Sequence, residues 1–94
     1  MQLEKDIEKY LKNEIEKRKG LCWKFTSPGT AGVPDRIIVI KDHVIFTELK
    51  RPQGRLSAIQ KVRIDELKKR GAWVEVLYDK NDVDRLLFIL DDAS

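Results

Sequence analysis

From the third residue onward, Leu3, Ile7, Tyr10, Leu11 and Ile15 recur every three or four positions with charged residues between them. That spacing gathers them into one stripe and predicts a helix over Leu3–Lys19, stopped by Gly20. The period then changes. Leu21, Trp23 and Phe25 alternate with Cys22, Lys24 and Thr26, which predicts a strand. Ser27–Pro34 contains Pro28, Gly29, Gly32 and Pro34 and reads as a loop. Arg36–Lys41 and Val44–Lys50 are rich in Ile and Val and form a hairpin turning at Asp42 and His43. A basic loop, Arg51–Leu56, leads to a second helix. Ser57 and Gln60 fit the S-x-x-Q capping box at its start, and Gly71 ends it. Ala72–Tyr78 is a further β-rich run. Asn81 is placed to cap a last helix carrying Val83, Leu86, Leu87 and Leu90.

The order is therefore α-β-β-β-α-β-α. The second helix is long enough to carry a right-handed crossover between parallel strands. The expected fold class is α/β, a mixed β-sheet flanked by helices, in a single domain over residues 1–94.

Composition changes this picture in two ways. Nineteen Lys and Arg face sixteen Asp and Glu, for a net charge of +3. A protein that merely coats DNA would be more one-sided, whereas a nuclease needs cations for phosphates and carboxylates for a metal. Cys22 is the single cysteine, which excludes an intramolecular disulfide and Cys-rich zinc sites and suits a reducing, cytoplasmic compartment. The first twenty residues are charged throughout, unlike a signal peptide, and no apolar run approaches membrane-spanning length.

The hairpin carries the candidate chemistry. A two-residue turn at Asp42-His43 sets Lys41 opposite Val44, Val39 opposite Phe46, Ile37 opposite Glu48 and Asp35 opposite Lys50. Opposed residues share a sheet face, as do residues two apart along a strand, so Asp35, Glu48 and Lys50 point to one side. Any turn of even length preserves this result, and an odd one destroys it. Two carboxylates on neighbouring strands suit a hard divalent cation, and a lysine beside them suits the charge that develops on an attacked phosphate. Glu-x-Lys alone is common as a surface ion pair. Asp35, following Pro34 at the foot of the facing strand, makes the pattern specific.

These residues resemble the PD-(D/E)XK nuclease motif: Pro34-Asp35 is its first half and Glu48-Leu49-Lys50 its second. The wider series is more specific. Gly32-Val33-Pro34-Asp35-Arg36, Phe46-Thr47-Glu48-Leu49-Lys50, Gly54-Arg55-Leu56-Ser57 with Gln60, and Gly71-Ala72-Trp73-Val74 together resemble the VRR-NUC (virus-type replication-repair nuclease) family, with Glu4 matching its leading glutamate. The likeness spans nearly the whole chain. It implies a restriction-endonuclease-like fold and hydrolysis of DNA phosphodiesters. It also implies a Mg²⁺ site, with Mn²⁺ able to substitute, on Asp35, Glu48 and the Leu49 carbonyl, with Glu4 acting through water. Lys50 would be the catalytic lysine and Gln60 a neighbour from the second helix. Single-domain viral members of the family look like dimeric, junction-resolving enzymes, which makes a phage-encoded homodimer acting on branched DNA the expectation.

Other residues admit plainer readings. Gln60 is equally well explained as the capping partner of Ser57. Lys24, Arg36, Arg51, Arg55 and Lys61 are candidate phosphate contacts, or else solvated surface. The loop at residues 28–32 lacks the Gly-Lys-Ser/Thr ending of a P-loop. His43 is a turn residue, and Trp23 and Trp73 suit core or interface better than base stacking. On a helical wheel the second helix shows two apolar stripes, Gln60-Ile64-Leu67 and Ala58-Ile59-Val62, of which the second is a candidate dimer surface. The competing functions are a non-catalytic DNA-binding module and a nuclease that cuts flaps or ends.

Overall fold

The computed structural model describes residues 3–92. Helix α1 (Glu4–Lys17) is followed by strands β1 (Leu21–Lys24), β2 (Arg36–Ile40) and β3 (His43–Leu49), helix α2 (Ala58–Lys69), strand β4 (Trp73–Leu77) and helix α3 (Lys80–Asp92). The strands form one sheet in the order β1-β2-β3-β4. The first two pairings are antiparallel and β3–β4 is parallel, with α2 as the crossover.

One face of the sheet is fully covered. Ile7, Leu11 and Ile15 of α1 and Val83, Leu86, Leu87 and Leu90 of α3 pack with Ile38, Ile40, Ile45, Leu49 and Leu77 in a single core. Each fully buried aliphatic side chain contributes roughly 2 kcal/mol. On the other face α2 lies over the β4 side and buries Ile64 and Val74. Among the described residues no helix lies over the β1–β2 half of that face, and Leu21, Trp23 and Val39, with Val44 beside them on β3, stand exposed. Trp73, by contrast, packs against the core, with His43 edge-on to its ring.

The hairpin turn sits one residue earlier than the sequence predicts. Lys41 and Asp42 are both left-handed (φ 49° and 65°), as the central residues of a two-residue type I′ turn must be. Ile40 therefore opposes His43, and Ile37 opposes Phe46. Moving an even turn by one residue shifts the register by two, so no side chain changes face. Lys41 accepts its strained conformation with its ammonium on the Leu90 carbonyl at the end of α3, 3.1 Å away.

Helix ends correct one further expectation and refine another. The cap of α3 is Asp79, whose carboxylate accepts the Asp82 N–H at 2.8 Å, and not Asn81. At the end of α1 the left-handed residue is Lys19 (φ 63°), not Gly20. The Gly20 N–H reaches the Ile15 carbonyl and the Lys19 N–H the Glu16 carbonyl, which is a Schellman closure. Gly20 is glycine for lack of space: a Cβ there would sit 2.8 Å from the Ile15 side chain and 3.0 Å from Ile40. Gly71 is the reverse case, left-handed with open space around it.

Gly20→Ala should therefore destabilise the fold by about 1–3 kcal/mol through overpacking, while Lys19→Gly should stabilise it by up to about 1 kcal/mol by relieving left-handed strain. Urea titrations read as midpoint shifts at constant slope check both. A neutral Gly20→Ala would show that the α1–β1 corner is loosely packed.

Candidate active site

Past Arg36–Thr47, one further step of the hairpin register sets Asp35 against Glu48. The Asp35 backbone is fixed from the other side, since its carbonyl accepts the Phe25 N–H at 2.8 Å. Its carboxylate accepts the Leu49 N–H at 2.9 Å. Glu48 is only 2% exposed. Its Oε2 lies 3.7 Å from the Lys50 ammonium and 3.3 Å from Gln60 Nε2, and its Oε1 is buried without a partner. The structure thus gathers Asp35, Glu48, Lys50 and Gln60 at the ends of β2, β3 and α2.

Gln60 does two jobs with two atoms. Its Oε1 accepts the Ser57 N–H at 2.9 Å while Ser57 Oγ accepts the Gln60 N–H, completing the capping box. Its Nε2 is left to donate to Glu48. The capping bonds and the contact with Glu48, which the sequence allowed together, are both present.

Burial, then the charge and hydrogen bonding of Asp35, push the Glu48 carboxyl up to about 8 from its ordinary 4.5; Lys50 opposes this, and Glu4 adds to it. Glu4, at the start of α1, therefore acts on the site through space. Among the described residues no group of three or more His, Cys, Asp or Glu side chains is placed to hold a metal. A cation here would need backbone and water oxygens beside the two carboxylates. The donor set fits a hard divalent ion: the oxygens are close, mutually repelling, and include one orphaned buried acceptor.

The basic candidates separate. Arg55 and Lys61 line a hollow of about 220 Å³ with Gly54, Leu56 and Tyr78, and Tyr78 follows the Leu77 carbonyl that accepts the Lys50 N–H. Arg51 is exposed in the turn before them. Arg36 does not offer itself to DNA. It is buried on the α1 face, its guanidinium 3.1 Å from Glu8 and 3.2 Å from the Cys22 carbonyl, because β2 alternation turns it away from Asp35. Lys24, opposite Arg36, shares that face and so lies away from the carboxylates.

Sequence reasoning missed Arg63. It donates to the Ala31 carbonyl at 2.8 Å and pairs with Glu66, tying the 27–34 loop to α2. Gly32 (φ 83°) lies against the same helix, where a Cβ would meet the Ile59 carbonyl at 2.9 Å. Together they place the segment leading into Pro34-Asp35. Only the glycine spacing hinted at so close an approach.

A solved structure described as a VRR_NUC domain superposes with a TM-score of 0.84 at 29% identity, covering 89% of this chain and 92% of that one. A relative named "Putative nuclease p44", from Acyrthosiphon pisum secondary endosymbiont phage 1, is 38% identical over 85 residues, which is 89% of this chain and 90% of the relative. The chain belongs to the VRR-NUC nuclease family. No family model matches it. Among the described residues no helix of this VRR-NUC chain is long and apolar enough to cross a membrane.

The raised Glu48 carboxyl makes stability pH-dependent in a definite direction. Between its ordinary 4.5 and about 8 the native state holds a proton that the unfolded chain releases, so stability is full at low pH and declines as pH rises through that window. Glu48→Gln, which cannot ionise, should therefore melt above the wild type at pH 9 in EDTA and lose that advantage at pH 5. Parallel melting curves at both pH values would show that Glu48 is not desolvated as described.

Proposed function

We propose that this nuclease is a Mg²⁺-dependent DNA endonuclease that cuts branched duplexes, such as four-way junctions, as a homodimer. The observation that supports it best is the buried, partly orphaned Glu48 beside Asp35 and Lys50. A carboxylate pair held this close is costly without a cation to neutralise it. Asp35, Glu48 and the Leu49 carbonyl would hold the metal, with Glu4 contributing through water. Bound there, Mg²⁺ or Mn²⁺ would polarise the scissile phosphate and lower the pKa of a water. Lys50 supplies a positive charge beside the attacked phosphate. Gln60 holds Glu48 in place while its other end is anchored in the helix cap. Arg55 and Lys61, with Arg51, supply cations for neighbouring phosphates. A two-fold dimer supplies the two matched sites that paired cuts require. The intact carboxylate–lysine set favours this reading over a non-catalytic DNA-binding module.

Asp35→Ala, Glu48→Ala and Lys50→Ala should each reduce cleavage of a junction substrate by at least about a hundredfold in folded protein. EDTA should abolish activity, and Mg²⁺ or Mn²⁺ should restore it. Near-normal turnover in a folded variant would refute the site assignment. A preference for linear ends or flaps in the same substrate panel would replace the junction reading.

Arg51→Ala or Arg55→Ala should weaken binding to all DNA sequences alike and lower the salt slope by about one unit per lost phosphate contact. An unchanged slope would move DNA off this rim.

A further inference from the structure

We propose that Tyr78 is a DNA-binding residue: its ring forms one wall of a subsite, completed by Arg55 and Lys61, for the sugar and phosphate next to the attacked phosphate. This rests on the nuclease reading above and adds to it a residue on the last strand and a mode of binding.

The register of the parallel strand pair places Tyr78. Glu48 stands beside Val76, and Leu49 beside Leu77. One further step sets Tyr78 beside Lys50, whose N–H donates to the Leu77 carbonyl at 2.9 Å. Leu49 and Leu77 both enter the core under α1 and α3. By alternation Lys50 and Tyr78 emerge on the opposite face, the face of Glu48. Neighbouring strands lie about 4.8 Å apart, and a DNA strand rises about 3.4 Å per nucleotide. A DNA backbone crossing the sheet from the carboxylates therefore meets Tyr78 about one nucleotide past the attacked phosphate.

A hollow is built at that place. Tyr78 lines a space of about 220 Å³ with Gly54, Arg55, Leu56 and Lys61. Its walls differ in chemistry: the Tyr78 ring and Leu56 are apolar, and Arg55 and Lys61 are cationic. Among the described residues neither cation enters an ion pair, whereas Arg18, Arg36, Arg63 and Arg85 all do. An apolar wall beside two unpaired cations matches the two halves of a backbone unit, deoxyribose and phosphate. The volume sets the limit. It falls below the roughly 300 Å³ at which small-molecule pockets begin, too little for a sugar and a base together. The contact is therefore blind to sequence.

The surroundings hold this surface ready. The Tyr78 N–H donates to Asp82 Oδ2 at 2.9 Å, and the Asp82 N–H donates to Asp79 Oδ1 at 2.8 Å, which locks the end of β4 to the first turn of α3. On the other side the Gly54 N–H closes a turn on the Arg51 carbonyl at 2.9 Å. A Cβ at Gly54 would lie 3.4 Å from the Lys50 Cβ, so the hollow is continuous with Lys50. A surface already ordered loses little freedom when it binds. A tyrosine that served packing alone would be closed off, but Tyr78 is only half-buried.

The test measures DNA binding by the full chain in EDTA, so it does not depend on cleavage. The probes are a fluorescein-labelled linear duplex and a labelled four-way junction, followed by anisotropy over a series of salt concentrations. Tyr78→Ala, shown to be folded by circular dichroism, should weaken binding to the tighter-bound probe about tenfold, the loss of one aromatic contact. Its salt slope should match the wild type, because no charge is lost. Tyr78→Leu, which keeps apolar packing without a ring, should lose nearly as much, and Tyr78→Phe should bind like the wild type. Arg55→Ala should lower the slope. The Arg55→Ala/Tyr78→Ala double variant should lose less than the product of the two single effects, because both side chains hold one backbone unit. A residue that only packs would shift the melting temperature and leave the affinity of the folded protein unchanged. That result, independent effects at Arg55 and Tyr78, or a Tyr78→Phe as weak as Tyr78→Ala overturns the subsite and leaves the nuclease reading standing. A wild type that binds neither probe at low salt overturns both. Tyr78-dependent binding by a wild type that cleaves neither probe with Mg²⁺ supports the subsite and refutes the proposed cleavage.

Discussion

Asp35 and Glu48 stand across the hairpin from one another, in a place where Glu48 is almost wholly buried. Two carboxylates brought together repel, and burial disfavours the charged form of Glu48. The surrounding structure manages that repulsion. The Leu49 N–H is given to Asp35, the Gln60 amide to Glu48, and the Lys50 ammonium is held near by the next backbone bond in the β3–β4 ladder. What remains of the repulsion, together with burial, raises the Glu48 carboxyl well above its ordinary range. Ion pairs on ordinary exposed strands are not buried in this way.

The rest of the fold keeps this pair in register. The α1–α3 layer pins one face of the hairpin with an aliphatic core, and buried Arg36, paired with half-exposed Glu8, ties β2 to α1 behind Asp35. On the front face α2 supplies Gln60 at its first turn and reaches back through Arg63 to hold the loop before Asp35. The arrangement is economical in a short chain. Four strands and three helices leave one face half covered, and the site occupies the end of that face nearest the covering helix.

Much of this was legible in the sequence because the relevant signals are local and periodic. Alternation along β2 and β3 fixed which residues share a face. An even turn preserved that parity even though the turn itself was placed one residue late, at Asp42-His43 rather than Lys41-Asp42. The capping box at Ser57 was readable for the same reason, since both partners lie within one turn of helix. The Asp79 cap was not, because Asn81 is also a capping residue type and only backbone geometry chooses between them.

What the chain alone determined is the order of elements, the parity of the strands and the presence of Asp35, Glu48 and Lys50 on one face. Each follows from side-chain chemistry at short range. The tertiary structure decided what depends on distant neighbours. Arg36 became a buried partner of Glu8 because α1 packs behind β2. Gly20 proved necessary for want of space beside Ile40, and Gly32 for its approach to Ile59. Glu48 acquired its raised carboxyl because α2 and the core exclude water there, and exclusion of water is a property of packing that no linear pattern encodes.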